Sequence, residues 1–201
     1  MKRFSKEQLH PTEVGRNAHT NEDVTSAQSL LPKGWTEIQA KKILRLFNGF
    51  AFKPSHWKGK GLPIIRIQNL NDPGAAFNFC PEEIPEKFRV RNGDLLFAWS
   101  GTPGTSFGAH IWQGGDAWLN QHIFRVEFDD GMYDKKFVRL AINHNLDDYS
   151  RQAHGGVGLA HITKGKFEDS CLIMPPIGEQ KRIVAKIEEL LPKVKVEKWG
   201  C

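Results

Sequence analysis

Met174-Pro175-Pro176-Ile177-Gly178-Glu179-Gln180-Lys181-Arg182-Ile183-Val184 separates two physical regimes in this 201-residue chain. Neither proline can donate to a sheet ladder or continue a helix, so the pair ends whatever precedes it. Beyond it, Ile183, Ile187, Leu190 and Val194 recur at spacings of four, three and four, the a/d seam of a coiled-coil-type helix. Val184 and Leu191 widen that seam on one side, and Lys181, Arg182, Lys186, Glu188, Glu189 and Lys193 populate the other faces. Pro192 is expected to kink the helix. An amphipathic helix at a chain end usually packs on its own domain. Here the Pro-Pro hinge and the narrow seam favour a helix that projects over residues 177–201, with Ile183, Ile187, Leu190 and Val194 as pairing residues.

Upstream, residues 31–176 read as one strand-rich domain. Leu172-Ile173-Met174 closes it as a strand. Leu95-Leu96-Phe97-Ala98-Trp99, launched by the turn Asn92-Gly93-Asp94, is short and wholly apolar, as a buried strand should be. His122 to Phe128 alternates apart from Ile123, and Pro63 to Asn69 reads as a strand with Ile65 and Ile67 opposite Arg66 and Gln68. Tyr133 to Asn145 carries Phe137, Leu140 and Ala141 at helical spacing. His154-Gly155-Gly156-Val157-Gly158 reads as a flexible loop. Residues 1–30 are polar, without a sustained period, and read as a flexible arm. The expected class is mixed α+β with a C-terminal amphipathic helix.

Composition narrows the function. With 39% hydrophobic and 25% charged residues the chain has the make-up of a globular domain with a sizeable core. No apolar run approaches the ~20 residues that cross a bilayer, and no signal-peptide stretch opens the chain, so the expected setting is cytoplasmic with no membrane partner. Cys80, Cys171 and Cys201 are odd in number and far apart, which argues against a disulfide scaffold or structural zinc. A net charge of +5 favours a polyanionic partner.

The sequence completes none of the common catalytic patterns. Gly165-Lys166 is followed by Phe167 and lacks the earlier glycine of a phosphate loop. The glycines of 155–158 do not follow a hydrophobic strand, as a nucleotide or S-adenosylmethionine loop would. Glu179-Gln180-Lys181 echoes a nuclease signature, but Glu179 opens a helix, where its charge suits the dipole. The expected protein is therefore not an enzyme and binds no metal or cofactor of its own.

Four blocks in order carry a resemblance. They are Leu31-Pro32-Lys33-Gly34-Trp35; Asn48-Gly49-Phe50-Ala51-Phe52-Lys53 with Pro63-Ile64-Ile65-Arg66-Ile67-Gln68-Asn69-Leu70; Asn92-Gly93-Asp94 through Ser100-Gly101-Thr102; and the Met174 to Val184 junction. Together they resemble one half of a type I restriction–modification specificity subunit. The resemblance implies a target-recognition domain that reads half of a bipartite site in double-stranded DNA, with spacer helices setting the separation of the halves. It further implies that a methyltransferase subunit and a restriction (motor and nuclease) subunit dock on it. S-adenosylmethionine, Mg2+ and ATP would belong to those partners. The family pattern holds two such domains, so a second half or a homodimer is expected. A functional half-subunit, a fragment of a longer product and an inactive truncated remnant all stay open, as does a stand-alone DNA-binding protein.

For DNA reading, Lys53, Ser55, His56, Lys58 and Lys60 form a basic loop suited to phosphates. Arg66, Gln68 and Asn69 can make bidentate base contacts, although Asn69 could equally bond its own turn. Ser100 and Thr102 lie on a small-residue loop open to close approach. Gln121 precedes a strand, and His154 sits in the glycine-rich segment. Trp99 and Trp118 are expected as core or rim anchors.

Overall fold

The computed structural model describes residues 31–72, 74–81, 83–102, 105–152 and 160–197, the last six as backbone. The expected arm (1–30), the loop at His154–Gly158 and the side chain of Val194 lie outside the described residues.

The domain is closed by its own two ends. Leu31–Trp35 forms a turn in which Trp35 N donates to Pro32 O (2.9 Å) and Gly34 takes a positive φ of 86°. Strand β1 (Thr36–Gln39) follows and pairs antiparallel with β12 (Cys171–Met174), Thr36 opposite Met174. A short helix α1 (Ala40–Ile43) then leads into β2 (Arg45–Asn48).

The central sheet runs β2-β10-β6-β8, where β6 is Leu95–Ala98, β8 is Gly108–Ile111 and β10 is Ile123–Glu127, and every pairing is antiparallel. All four residues of β6 are buried, and they divide by parity. Leu95 and Phe97 join the larger core, with Phe107, Phe124, Tyr149 and Phe167. Leu96 and Ala98 join a second core, with Ile65, Val90, Trp112, Leu119 and Ile123. A strand covered on both faces needs no alternation, which is why this run reads as uniformly apolar.

On the first face lie α3 (Lys135–His144), α4 (Leu146–Gln152) and α5 (Lys164–Asp169). Asp134 caps α3 by accepting from Phe137 N (3.0 Å), and Thr163 caps α5 by accepting from Lys166 N (3.4 Å). The buried face of α3 is Phe137, Val138 and Ile142, while Leu140 and Ala141 are half-buried, so the helix is rotated from the expected stripe. Asn143 of this helix accepts from Ala109 N (2.7 Å) and donates to Ala109 O (3.0 Å). That amide blunts the edge strand β8.

On the second face is a smaller sheet, β4-β3-β9-β5, of β3 (Leu62–Ile65), β4 (Asn78–Cys80), β5 (Arg89–Val90) and β9 (Ala117–Leu119). Its one parallel pair is β3 with β9, Ile64 opposite Trp118. A two-residue β7 (Ser100–Gly101) pairs with β11 (Ala160–His161).

Two expectations are corrected. The Pro63–Asn69 run is not one strand: β3 ends at Ile65, and Ile67–Asn71 forms a helical turn, α2. Asn69 causes the break. Its side chain is 7% exposed, accepts from Arg66 N (3.0 Å), and donates to Ala75 O (3.2 Å) and Ala76 O (3.3 Å). Its amide is spent on its own loop, which removes Asn69 from the surface offered to a partner. The second correction concerns the last helix, α6 (Ile177–Glu197). Val184 is buried and Ile183 half-buried against the main core, so Ile183 belongs to the domain's own packing and not to a free seam. Lys136 of α3 pairs with Glu188 (2.6 Å). Ile187 is half-buried, whereas Leu190 (43%) and Leu191 (51%) are exposed. The helix is thus held along its first turns and exposes apolar side chains farther on.

Replacing Asn69 by Ala should lower the unfolding free energy by about 1–3 kcal/mol in urea titration, as expected for buried groups left unpaired. A variant as stable as the parent would return Asn69 to the reading surface. His110 of β8 supplies a pH signature. Burial, the larger effect, together with nearby Arg139 holds its imidazole below the ordinary value of 6.5, against a hydrogen bond from the ring to the Ser106 backbone that raises it. Below about pH 6.5 the unfolded chain therefore binds the extra proton more readily, and stability falls with acidification. His110→Gln should flatten the stability profile in that range; an unchanged slope would exclude His110 as its source.

Candidate nucleic-acid interface

One rim of the domain collects the ends of five strands. Pairing of Asn48 with Phe124 and of Ala98 with Ile123 puts the ends of β2 and β6 beside the start of β10. Asn120 N donates to Ile65 O (3.1 Å) and Phe50 N to Leu119 O (2.7 Å), which brings the ends of β3 and β9 to the same place. Such strand ends and their loops are where a rigid scaffold can present variable side chains. Gly49 makes the junction possible: a Cβ there would lie 2.1 Å from Asn120 O.

Trp99 is the pillar of this rim. Its indole N–H donates to Gln121 O (3.2 Å), and its ring lies 5.2 Å from that of His122 and 4.8 Å from that of His161. Gln121 is exposed, with Nε2 3.3 Å from His122 Nε2. Ser100 is half-buried in β7. Thr102 is exposed, and its carbonyl gathers the amides of Thr105, Ser106 and Phe107 at 3.1–3.2 Å. Gly101, at φ 147°, permits that turn, since a Cβ would lie 2.5 Å from Ser106 Oγ.

The basic loop adjoins the rim through Phe50, whose ring is 5.8 Å from that of His56. Pro54–His56 forms a single tight helical turn carrying exposed Ser55 after exposed Lys53. Lys58 N donates to Phe79 O (2.8 Å), which pins the loop to β4 while the Lys58 side chain stays exposed. Arg66 lies at the end of β3 with its guanidinium 5.5 Å from the centre of the Trp57 ring, and Gln68 is exposed on the turn that follows. Trp57 is 39% exposed and was missed by sequence reasoning; a lone aromatic inside a Lys- and Gly-rich loop was its only local signal.

Charge pairing sets Arg66 apart. Arg45, Arg89, Arg91, Arg125, Arg151 and Arg182 each contact a carboxylate. Among the described residues, Arg66 and Arg139 are the arginines with no ion pair, and Arg139, on α3 beside His110, lines a cleft with Asn69, Leu70 and Trp112. A guanidinium with five donors, within cation–π reach of an indole and left without a carboxylate among the described residues, is ready for an external acceptor. Backbone pairing sets Arg66, Ser100 and Gln121 at or next to the converging strand ends, Gln68 and Thr102 lie two residues beyond Arg66 and Ser100, and Lys53, Ser55 and Lys58 lie on the adjoining loop. Asn69 lies inside, and His154 falls outside the described residues. Among the described residues, no group of three His, Cys, Asp or Glu side chains is placed to hold a metal ion, and no helix is long and apolar enough to cross a membrane.

Comparison with known proteins agrees with this architecture. The chain is 31% identical over 162 residues to the type I restriction enzyme EcoBI specificity subunit of Escherichia coli, covering 80% of this chain and 33% of that protein. It therefore spans about a third of that relative's length. Its fold is similar to the HsdS subunit from Thermoanaerobacter tengcongensis, with TM-score 0.63 at 17% identity over 83% of this chain and 39% of that one. The type I restriction-modification S subunit from M. genitalium gives TM-score 0.58 at 14% identity over 80% and 40%. The family model described as the type I restriction modification DNA specificity domain matches residues 32–199. With that match across nearly all of the described fold, the chain belongs to the type I restriction–modification DNA specificity family.

Proposed function

We propose that this chain reads one half of a bipartite target in double-stranded DNA and performs no chemistry itself. The observation that carries the reading is Arg66, which has no carboxylate partner among the described residues and whose guanidinium lies 5.5 Å from the centre of the Trp57 ring, beside the rim where the strand ends converge. Guanine offers two acceptors in the major groove that match a fixed guanidinium fork, and such a pair discriminates by about 1–3 kcal/mol. Gln68, Ser100, Thr102 and Gln121 add donors and acceptors on the same side. Lys53, Lys58 and Lys60 supply phosphate contacts, which position the duplex without reading it. Buried clustered titratable groups would suit catalysis; an exposed rim of donors suits recognition.

Methylation of adenine and cleavage then fall to a methyltransferase and a restriction subunit in the cytoplasm, and those partners bind S-adenosylmethionine, Mg2+ and ATP. The helix α6 joins a second specificity half, or a second copy, through Leu190 and the residues beyond it, Val194 included, with Ile187 at the margin of the contact.

Selection from random duplexes defines the preferred half-site, and two variants then separate reading from holding. Arg66→Ala should relax the preference at one base pair by about 1–3 kcal/mol, while Lys58→Ala should weaken all sequences alike and reduce the salt slope by about one. Loss of affinity without loss of preference in Arg66→Ala would remove it from the readers. For the helix, Leu190→Asp combined with Leu191→Asp should turn an associating chain into a monomer by light scattering, with helicity unchanged. An unaltered mass would show that this face pairs with nothing.

A further inference from the structure

Gln180 is 1% exposed, yet it is polar and lies at the foot of a helix whose outer face is solvated. Both polar atoms of its amide are bonded. The Oε1 accepts from Asp134 N (2.8 Å), at the start of α3, and the Nε2 donates to Pro175 O (2.8 Å), just past the end of β12. One side chain thus ties together the end of the last strand, the start of a core helix and the first turns of α6. Only an amide does this at neutral pH: an ionised Glu has no donor for Pro175 O, and Leu has neither group. Around it, Trp35 Nε1 donates to Glu179 Oε2 (3.2 Å), and Glu179 N and Gln180 N both donate to Pro176 O (2.8 and 3.0 Å). Val184 and Glu188 follow at i+4 and i+8 on the same face, the first buried and the second paired with Lys136.

The arrangement is a clamp at the base of a lever. At about 1.5 Å per residue, the helix from Gln180 to Glu197 reaches roughly 25 Å. A swing of about 10° at its foot moves the far end by some 4–5 Å, more than the ~3.4 Å between successive base pairs. We infer that Gln180 is a positioning residue: it fixes the direction in which α6 leaves the domain and thereby the spacing between DNA half-sites that the assembled protein accepts. The inference rests on the half-site reading proposed above.

Two readouts test it. Nitroxide labels on Leu191→Cys and Asp147→Cys, with Cys171 and Cys201 changed to Ser and the labelled protein diluted in unlabelled chain, report the helix direction as a distance distribution. The parent should give one narrow peak and Gln180→Leu a broad one at unchanged helicity. Gln180→Glu, which keeps the acceptor for Asp134 N, should fall between them, and it serves if the Leu variant does not fold. In the assembly with a second half, Gln180→Leu should lose about tenfold of the discrimination against spacers one base pair too long or too short, with both half-site sequences unchanged. A purely structural defect would weaken every spacer equally. A narrow peak in both variants, or unaltered spacer choice with a broadened peak, overturns the positioning role. Absence of any sequence preference in the parent would instead sink the half-site reading, while the distance measurement still decides whether the clamp exists.

Discussion

Burial of β6 on both faces is the constraint from which the rest follows. Leu95 and Phe97 face the helices, and Leu96 and Ala98 face the smaller sheet, so neither layer can shift without opening a cavity in one of two cores. Because β6 lies between β10 and β8, fixing its height fixes the level at which neighbouring strands end. The rim is a consequence of that alignment. Arg66, Trp99 and the Asn120–Gln121 pair are far apart in the chain and meet only because the strands leading to them stop together.

What the rim presents is suited to holding a polyanion and sorting its sequences. Six other described arginines, at 45, 89, 91, 125, 151 and 182, are paired with carboxylates, and such pairs are worth little to stability in water. They do, however, leave those guanidinium groups less available to an outside anion than Arg66. Under the half-site reading proposed above, Arg66 and the lysines at 53, 58 and 60 would face the duplex, and the preference of a guanidinium for an aromatic face restricts how Arg66 can turn. Restricting it beforehand lowers the entropy lost on binding, so more of the hydrogen-bond energy remains for telling one base from another.

The junction at Pro175–Pro176 matters for a different reason. A projecting helix transmits position only if its base is rigid, and buried polar bonds supply directional rigidity that apolar contacts lack. Val184 and Ile183 contribute adhesion, whereas Gln180, Glu179 and the Lys136–Glu188 pair contribute angle. The same helix thus serves two purposes along its length, docked near Gln180 and open near Leu190.

Much of this was legible in the residues alone. The apolar run at Leu95, the Pro-Pro break, the amphipathic tail and the ordered blocks of the family are local or nearly local signals, and local propensity and periodicity suffice to read them. The break after Ile65 was not legible, because it depends on where one Asn side chain turns, and Ile67 suits a strand as well as a helix. The docking of Ile183 on the main core was not legible either, because periodicity shows which helix face is apolar but not what covers it. Trp57 beneath Arg66, Trp99 between two histidines, and Gln180 reaching the start of α3 were decided only by tertiary structure. Each joins groups whose separation in sequence bears no relation to their distance in space, and only the packing of layers around β6 brings them within a few ångströms.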